Sequence, residues 1–194
     1  MMKEVKLSTP LKEEDIRNLR IGDVVYISGI IVTSRDMGHL RMKDIIEKGQ
    51  KLPVDFAGGV IFHAGPVVKQ KDNGYELSVI GPTTSIRMEP YSDFIGALDV
   101  RVIIGKGGME EGTSEALKKY GMVYLQAPPG CAVVLGEKVN RIKDVFWKEL
   151  GMPEALWVLE VENFGPLAVG MNSEGNSIYR DIKIKGKKLI EKMF

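Results

Sequence analysis

Residues 99–104, DVRVII, form a short apolar run that empties directly into Gly105-Lys106-Gly107-Gly108. A run of this kind reads as a buried strand, and glycines at its end let the backbone turn sharply or approach a ligand closely. A helical pattern follows over residues 113–120, with Gly121 placed to end it, and then a second apolar strand over 122–126. Strand, helix and strand in such close succession point to parallel pairing. The same alternation runs upstream. Residues 24–33, VVYISGIIVT, read as a strand pair or one long strand bent at Gly29. A polar loop, 34–39, leads into a helical stretch with Leu40, Ile45 and Ile46 at helical spacing. Residues 51–55, with Pro53, form a connector before a strand over 60–63, and Ala64-Gly65-Pro66 is expected to turn it. Leu77, Val79 and Ile80 mark another strand, stopped by Gly81-Pro82. A helix over 92–98 would turn Phe94, Ile95 and Leu98 inward.

The ends of the chain have a different texture. Residues 3–7 suggest a short strand, and Thr9-Pro10 the cap and first position of a short helix over 11–19. Asp72-Asn73-Gly74 is a hairpin tip, and Ala127-Pro128-Pro129-Gly130 a breaker before the apolar residues 131–135. A helix is expected over 142–150, strands over 157–161, 167–171 and 177–184, and a basic surface helix over 185–194. The sum is an α/β fold: a mainly parallel central sheet, a second antiparallel sheet and helices on one side. No repeat or linker divides residues 1–194, which read as a single domain.

The net charge of +1 gives no global field to recruit nucleic acid or an acidic membrane surface, so anion recognition must be local. No apolar run approaches the ~20 residues that span a bilayer, and the first residues lack a signal-peptide core; the expected location is the cytoplasm. The single cysteine, Cys131, excludes an internal disulfide and any iron–sulfur site built from this chain's thiolates alone. It reads as a small buried hydrophobe.

Three loops concentrate the chemistry. Arg35, Arg87 and Lys106 each follow an expected strand end, with glycine or small hydroxyl residues beside them. In a parallel sheet such loops gather at the carboxyl edge, where these folds bind ligands. If Ser85 opens a helical turn, Thr83 and Arg87 share one mouth of the sheet, where a hydroxyl, a cation and free N–H groups meet an anion. Arginine offers a carboxylate a planar fork and lysine a point charge, so the set suits a dicarboxylate. A phosphate loop is the weaker match: GKGG is not followed by Ser or Thr, and the third glycine of a dinucleotide fingerprint would fall on Glu110.

Taken together and in order, SRDMGH (34–39), GPTTSIRM (81–88) and IGKGG (104–108) resemble the β subunit of class I hydro-lyases. That family comprises the carboxy-terminal part of iron–sulfur-dependent fumarate hydratases and the L-tartrate dehydratase β subunit. The likeness runs from about Ile21 to about Gly170 and implies a swivelling β/β/α domain. It implies that Thr83 is the base that handles the substrate carbon proton. Arg35 and Arg87 would hold substrate carboxylates and Lys106 would contact the same ligand, with Asp36 and His39 orienting. It further implies a 4Fe-4S cluster on a cysteine-bearing α subunit, an α2β2 assembly, and no activity from this chain alone. The reaction would be reversible hydration of fumarate to malate, favoured as the commoner central reaction, or dehydration of tartrate. A different class remains open: a non-catalytic swivelling carrier module, in which His39 would carry phosphate. His63, in an apolar strand, reads as a hydrogen-bonded core histidine, and Trp147 and Trp157 as core. Glu110-Glu111 suit the first turn of the helix after them.

Overall fold

The computed structural model describes residues 2–72 and 74–193. In chain order the elements are β1 (Glu4–Ser8), α1 (Glu13–Arg17), β2 (Val24–Thr33), α2 (Asp36–Glu47), β3 (Val60–Phe62), β4 (Ala64–Lys71), β5 (Gly74–Pro82), α3 (Ser92–Ala97), β6 (Val102–Gly105), α4 (Glu111–Tyr120), β7 (Val123–Gln126), α5 (Ala132–Gly136), β8 (Val139–Phe146), β9 (Leu156–Met171) and α6 (Ile178–Ile190). A 3-10 helix, Ser85–Tyr91, joins β5 to α3.

Seven strands form one mostly parallel sheet in the order β1-β2-β3-β6-β7-β9-β8, and β4 and β5 form a second, antiparallel sheet. Strand β2 also pairs with β9, so β2, β3, β6, β7 and β9 close on themselves. Alternate residues of the parallel strands face opposite ways, as the pleat requires. Val60, Phe62, Val102, Ile104, Val123 and Leu125 point into one apolar core with Trp157 and Phe164. Ile61, Ile103 and Tyr124 face the other way, onto Met42 of α2, Met88 of the 3-10 helix, Ile95 of α3 and Leu117 of α4. Covering both faces explains why these strands read as unbroken apolar runs. Among the described residues no helix is long and apolar enough to cross a membrane.

Several expected elements stand where the sequence put them. Gly29 bends β2 at φ +104°, and Gly121 ends α4 in the left-handed region. Others differ for physical reasons. Residues 142–150 are not one helix: only Lys148–Leu150 form a 3-10 turn, while 142–146 belong to β8, which pairs with β9 through two register shifts whose extra residues bring Val139, Ile142 and Val145 inward at intervals of three. Bulges thus imitate helical spacing. Residues 177–184 are not a strand. Ser177 caps α6, its Oγ accepting the Arg180 N–H at 3.4 Å, and the helix continues into the expected basic tail. Ala64-Gly65-Pro66 is no turn but the start of β4, opposite Gly81 and Pro82; a two-stranded sheet has only edges, which accept proline. Thr9 caps no helix. Its Oγ1 accepts the Ile30 N–H at 2.6 Å across the bend in β2, and α1 begins after Lys12. The hairpin tip includes Asn73, which lies outside the described residues. In α2 the buried side chains are His39 and Met42, whereas Leu40 and Ile46 face solvent. Trp157 is fully buried, Trp147 half-buried, and Cys131 sits half-buried at the margin of the core.

Candidate functional site

The carboxyl ends of β2, β3 and β6 deliver Ser34-Arg35, His63 and Lys106 to one edge of the parallel sheet. The segment after β5 is laid across that edge by backbone bonds. The Thr83 N–H donates to the His63 carbonyl at 2.7 Å, and the Ser85 N–H to the Lys106 carbonyl at 3.0 Å. Thr84 and Lys106 form an isolated parallel bridge. Two glycines allow close approaches here, Gly105 to Ser85 of this segment and Gly108 to Tyr179 of α6. A Cβ on Gly105 would lie 1.8 Å from Ser85 Oγ, and one on Gly108 would lie 2.4 Å from the Tyr179 ring. Gly107 and Gly108 also hold φ values of +83° and +74°, which favour glycine.

Because the 3-10 helix starts at Ser85, Arg87 folds back over Thr83, and its Nη2 donates to Thr83 Oγ1 at 2.9 Å. The same Nη2 lies 3.0 Å from Asp36 Oδ2 at the start of α2. Asp36 therefore aims the guanidinium, while among the described residues no hydrogen bond engages Nε or Nη1. A cationic donor on Oγ1 favours the hydroxyl's deprotonated form over its neutral one. Arg35, next to Asp36 in the chain, is three-quarters buried, with its Nε 3.1 Å from Glu154 Oε1. The contact is an ion pair rather than an aligned hydrogen bond, since the buried Nε–H finds no acceptor along its axis. The half-buried Lys106 ammonium has no carboxylate partner among the described residues.

Beneath these loops runs a buried polar layer. His39 Nδ1 lies 2.8 Å from the Arg35 carbonyl and 3.0 Å from Ser34 Oγ. A carbonyl only accepts, so Nδ1 carries the proton. The His39 and His63 rings meet edge-on at 5.2 Å. His63 Nδ1 is 3.0 Å from Ser85 Oγ, which also accepts the Tyr124 hydroxyl at 3.1 Å. Burial pushes His39 down to about 4 against the opposing Arg35 carbonyl, and pushes His63 in the same direction with help from His39 and Arg87. Both imidazoles are neutral at pH 7 and lock three loops together. Burial likewise raises the Tyr124 phenol, keeping it a donor.

The structure thus brings Thr83, Arg87 and Asp36 into direct contact, sets Arg35 beside them, and joins Lys106 to them through the backbone. His39 lies under the site, not in it. A phosphate carrier needs an exposed imidazole, and His39 is 1% exposed with Nδ1 committed, which counts against the carrier reading. Glu154 and the Ser85–Tyr124 pair carry no local sequence signal. An iron–sulfur cluster needs several thiolates. This chain has one cysteine, and among the described residues no three His, Cys, Asp or Glu side chains group to hold a metal. Its donor set does not fit such a cluster.

A family model described as Fumarase C-terminus matches residues 1–182. A Methanocaldococcus jannaschii protein, named provisionally as L(+)-tartrate dehydratase subunit beta, is 44% identical over 185 residues, covering 94% of this chain and 93% of its own. The Escherichia coli (strain K12) protein named L(+)-tartrate dehydratase subunit beta is 43% identical over 183 residues, covering 94% and 89%. A Geobacillus stearothermophilus protein, named provisionally as fumarate hydratase class I, is 42% identical over 191 residues, covering 97% of this chain but 35% of its own. With the model matched along nearly its whole length, the chain belongs to the Fumarase C-terminus family.

Proposed function

We propose that this chain is the β subunit of an iron–sulfur-dependent hydro-lyase that reversibly hydrates fumarate to (S)-malate, within one swivelling β/β/α domain. The observation that carries the reading is the Thr83–Arg87–Asp36 contact at the carboxyl edge of the sheet, with Arg35 and Lys106 beside it. Arg87 and Arg35 hold the two carboxylates through their uncommitted N–H groups, and Lys106 adds a point charge. In the dehydration direction Thr83 Oγ1 takes the proton from the carbon next to a carboxylate, and returns it in the hydration direction. A threonine hydroxyl is a poor base alone; the Arg87 N–H on Oγ1 stabilises the alkoxide once the α subunit covers this exposed edge and excludes water.

Three cations and the carboxylates of Asp36 and Glu154 leave the half-site with one positive charge, too little for a dianion. The remainder comes from an α subunit that bears the 4Fe-4S cluster, in an α2β2 assembly in the reducing cytoplasm. This chain alone is then inactive. A second reading, L-tartrate dehydration, is favoured by one fact: the relatives matched along most of their own length carry that name. Anaerobic assembly with the α partner, followed by fumarate hydration and tartrate dehydration assays, tests both. Turnover of one substrate that requires both chains is expected. Turnover by this chain alone, or of neither substrate by the complex, overturns the proposal.

A further inference from the structure

The clamp arginine of the first loop has a partner from far along the chain. Glu154 sits in a turn held by the Glu154 and Ala155 N–H groups on the Gly151 carbonyl, at 3.0 and 2.9 Å. That turn is pinned beside the end of β2, because the Trp157 N–H donates to Thr33 Oγ1 at 3.2 Å, two residues before Arg35. Glu154 is itself mostly buried, with a side chain 17% exposed. Its Oε1 lies 3.1 Å from Arg35 Nε, and its Oε2 accepts the Met37 N–H at 3.0 Å. One carboxylate therefore spans the guanidinium and the first turn of α2, on both sides of Asp36. Both groups facing it are donors. A carboxylate can accept at both oxygens; an amide would turn its own N–H toward one of them.

The alignment matters as much as the distance. Arg35 Nε–H is buried and off-axis, so the pair holds the side chain by charge without saturating it. An arginine held through its Nε side keeps both terminal nitrogens for a bidentate ligand. We infer that Glu154 is the positioning residue of Arg35, fixing the guanidinium so that its terminal N–H groups meet a substrate carboxylate. This rests on the reading of Arg35 as a carboxylate clamp.

The test uses Glu154→Gln, which keeps the volume and removes the second acceptor. In the assembled complex, KM for the dicarboxylate rises by about tenfold to a hundredfold while kcat changes less, as for a clamp held about 1 Å out of place. In an Arg35→Ala background Glu154→Gln adds nothing further, because the two act through one contact. In the isotopically labelled chain the Arg35 Nε–H resonance moves in the Glu154→Gln variant, a readout independent of turnover. An unchanged KM, additive losses in the double variant, or an unmoved resonance overturns the inference. If Arg35→Ala leaves KM unchanged, the clamp reading falls and Glu154 falls with it. If Arg35→Ala raises KM and Glu154→Gln does not, only the role of Glu154 is lost.

Discussion

Acidification should loosen the floor of the site before it reaches ordinary carboxylates. His39 is buried against the Arg35 carbonyl, with Asp36, His63 and Tyr91 as its charged or titratable neighbours, and its value falls from 6.5 to about 4. A group depressed in the folded state leaves stability intact above its unfolded value and removes it as pH falls toward the folded value. Between pH 6.5 and about 4 the unfolded chain takes up a proton on this ring that the folded chain refuses. By pH 5 that linkage costs about 2 kcal/mol, and His63, shifted the same way, adds to it. Against a typical total of roughly 5–15 kcal/mol, the loss is easily measured. Urea unfolding at pH 7.5, 6 and 5 is the assay. The window excludes Glu13, Glu76 and Asp93, whose lowered values place their titration below it. His39→Gln removes one titrating ring, so its own loss between pH 7.5 and 5 is smaller by about 2 kcal/mol. Flat stability across the window, or the same slope with and without His39, would refute the reasoning.

Other perturbations probe the loops above. Gly105→Ala places a methyl 1.8 Å from Ser85 Oγ and must displace the hydroxyl that His63 and Tyr124 share. Overpacking there costs about 1–3 kcal/mol of stability, seen in urea midpoints, and a larger share of turnover. A fully stable, fully active variant would contradict the geometry. Arg87→Lys keeps the charge but replaces the planar fork by one ammonium, so the group that contacts Asp36 and Thr83 no longer leaves a separate pair of N–H donors for a carboxylate. KM should rise about tenfold or more in steady-state assays of the complex, the scale of one lost charged hydrogen bond.

The sheet and its loops were legible because both rest on local chemistry. Apolar runs at 60–62, 102–104 and 123–125 are buried on both faces, and each ends at glycine, alanine or a turn, so parallel strands and a loaded edge follow from pattern alone. Asp36 beside Arg35 and Thr83 four residues before Arg87 are likewise short-range facts. What escaped is long-range. Glu154 reaches Arg35 across more than a hundred residues, and the Ser85–Tyr124 contact joins two elements with no shared motif. The β8 bulges replaced a period of two by one of three, which no single-strand pattern distinguishes from a helix. In α6 the alternation of Ile182 and Ile184 with lysines fits the strand expected over 177–184, but Ser177 supplies a cap and the helix forms.

The central claim is that Thr83, under the Arg87 guanidinium, moves a carbon-bound proton in a site this chain half builds. Thr83→Ala in the anaerobically assembled complex, measured by steady-state kinetics on the substrate the complex turns over, tests it most directly. The account predicts a fall in kcat of about a hundredfold or more with little change in apparent affinity, the scale of a lost general base. Unchanged kcat would contradict it.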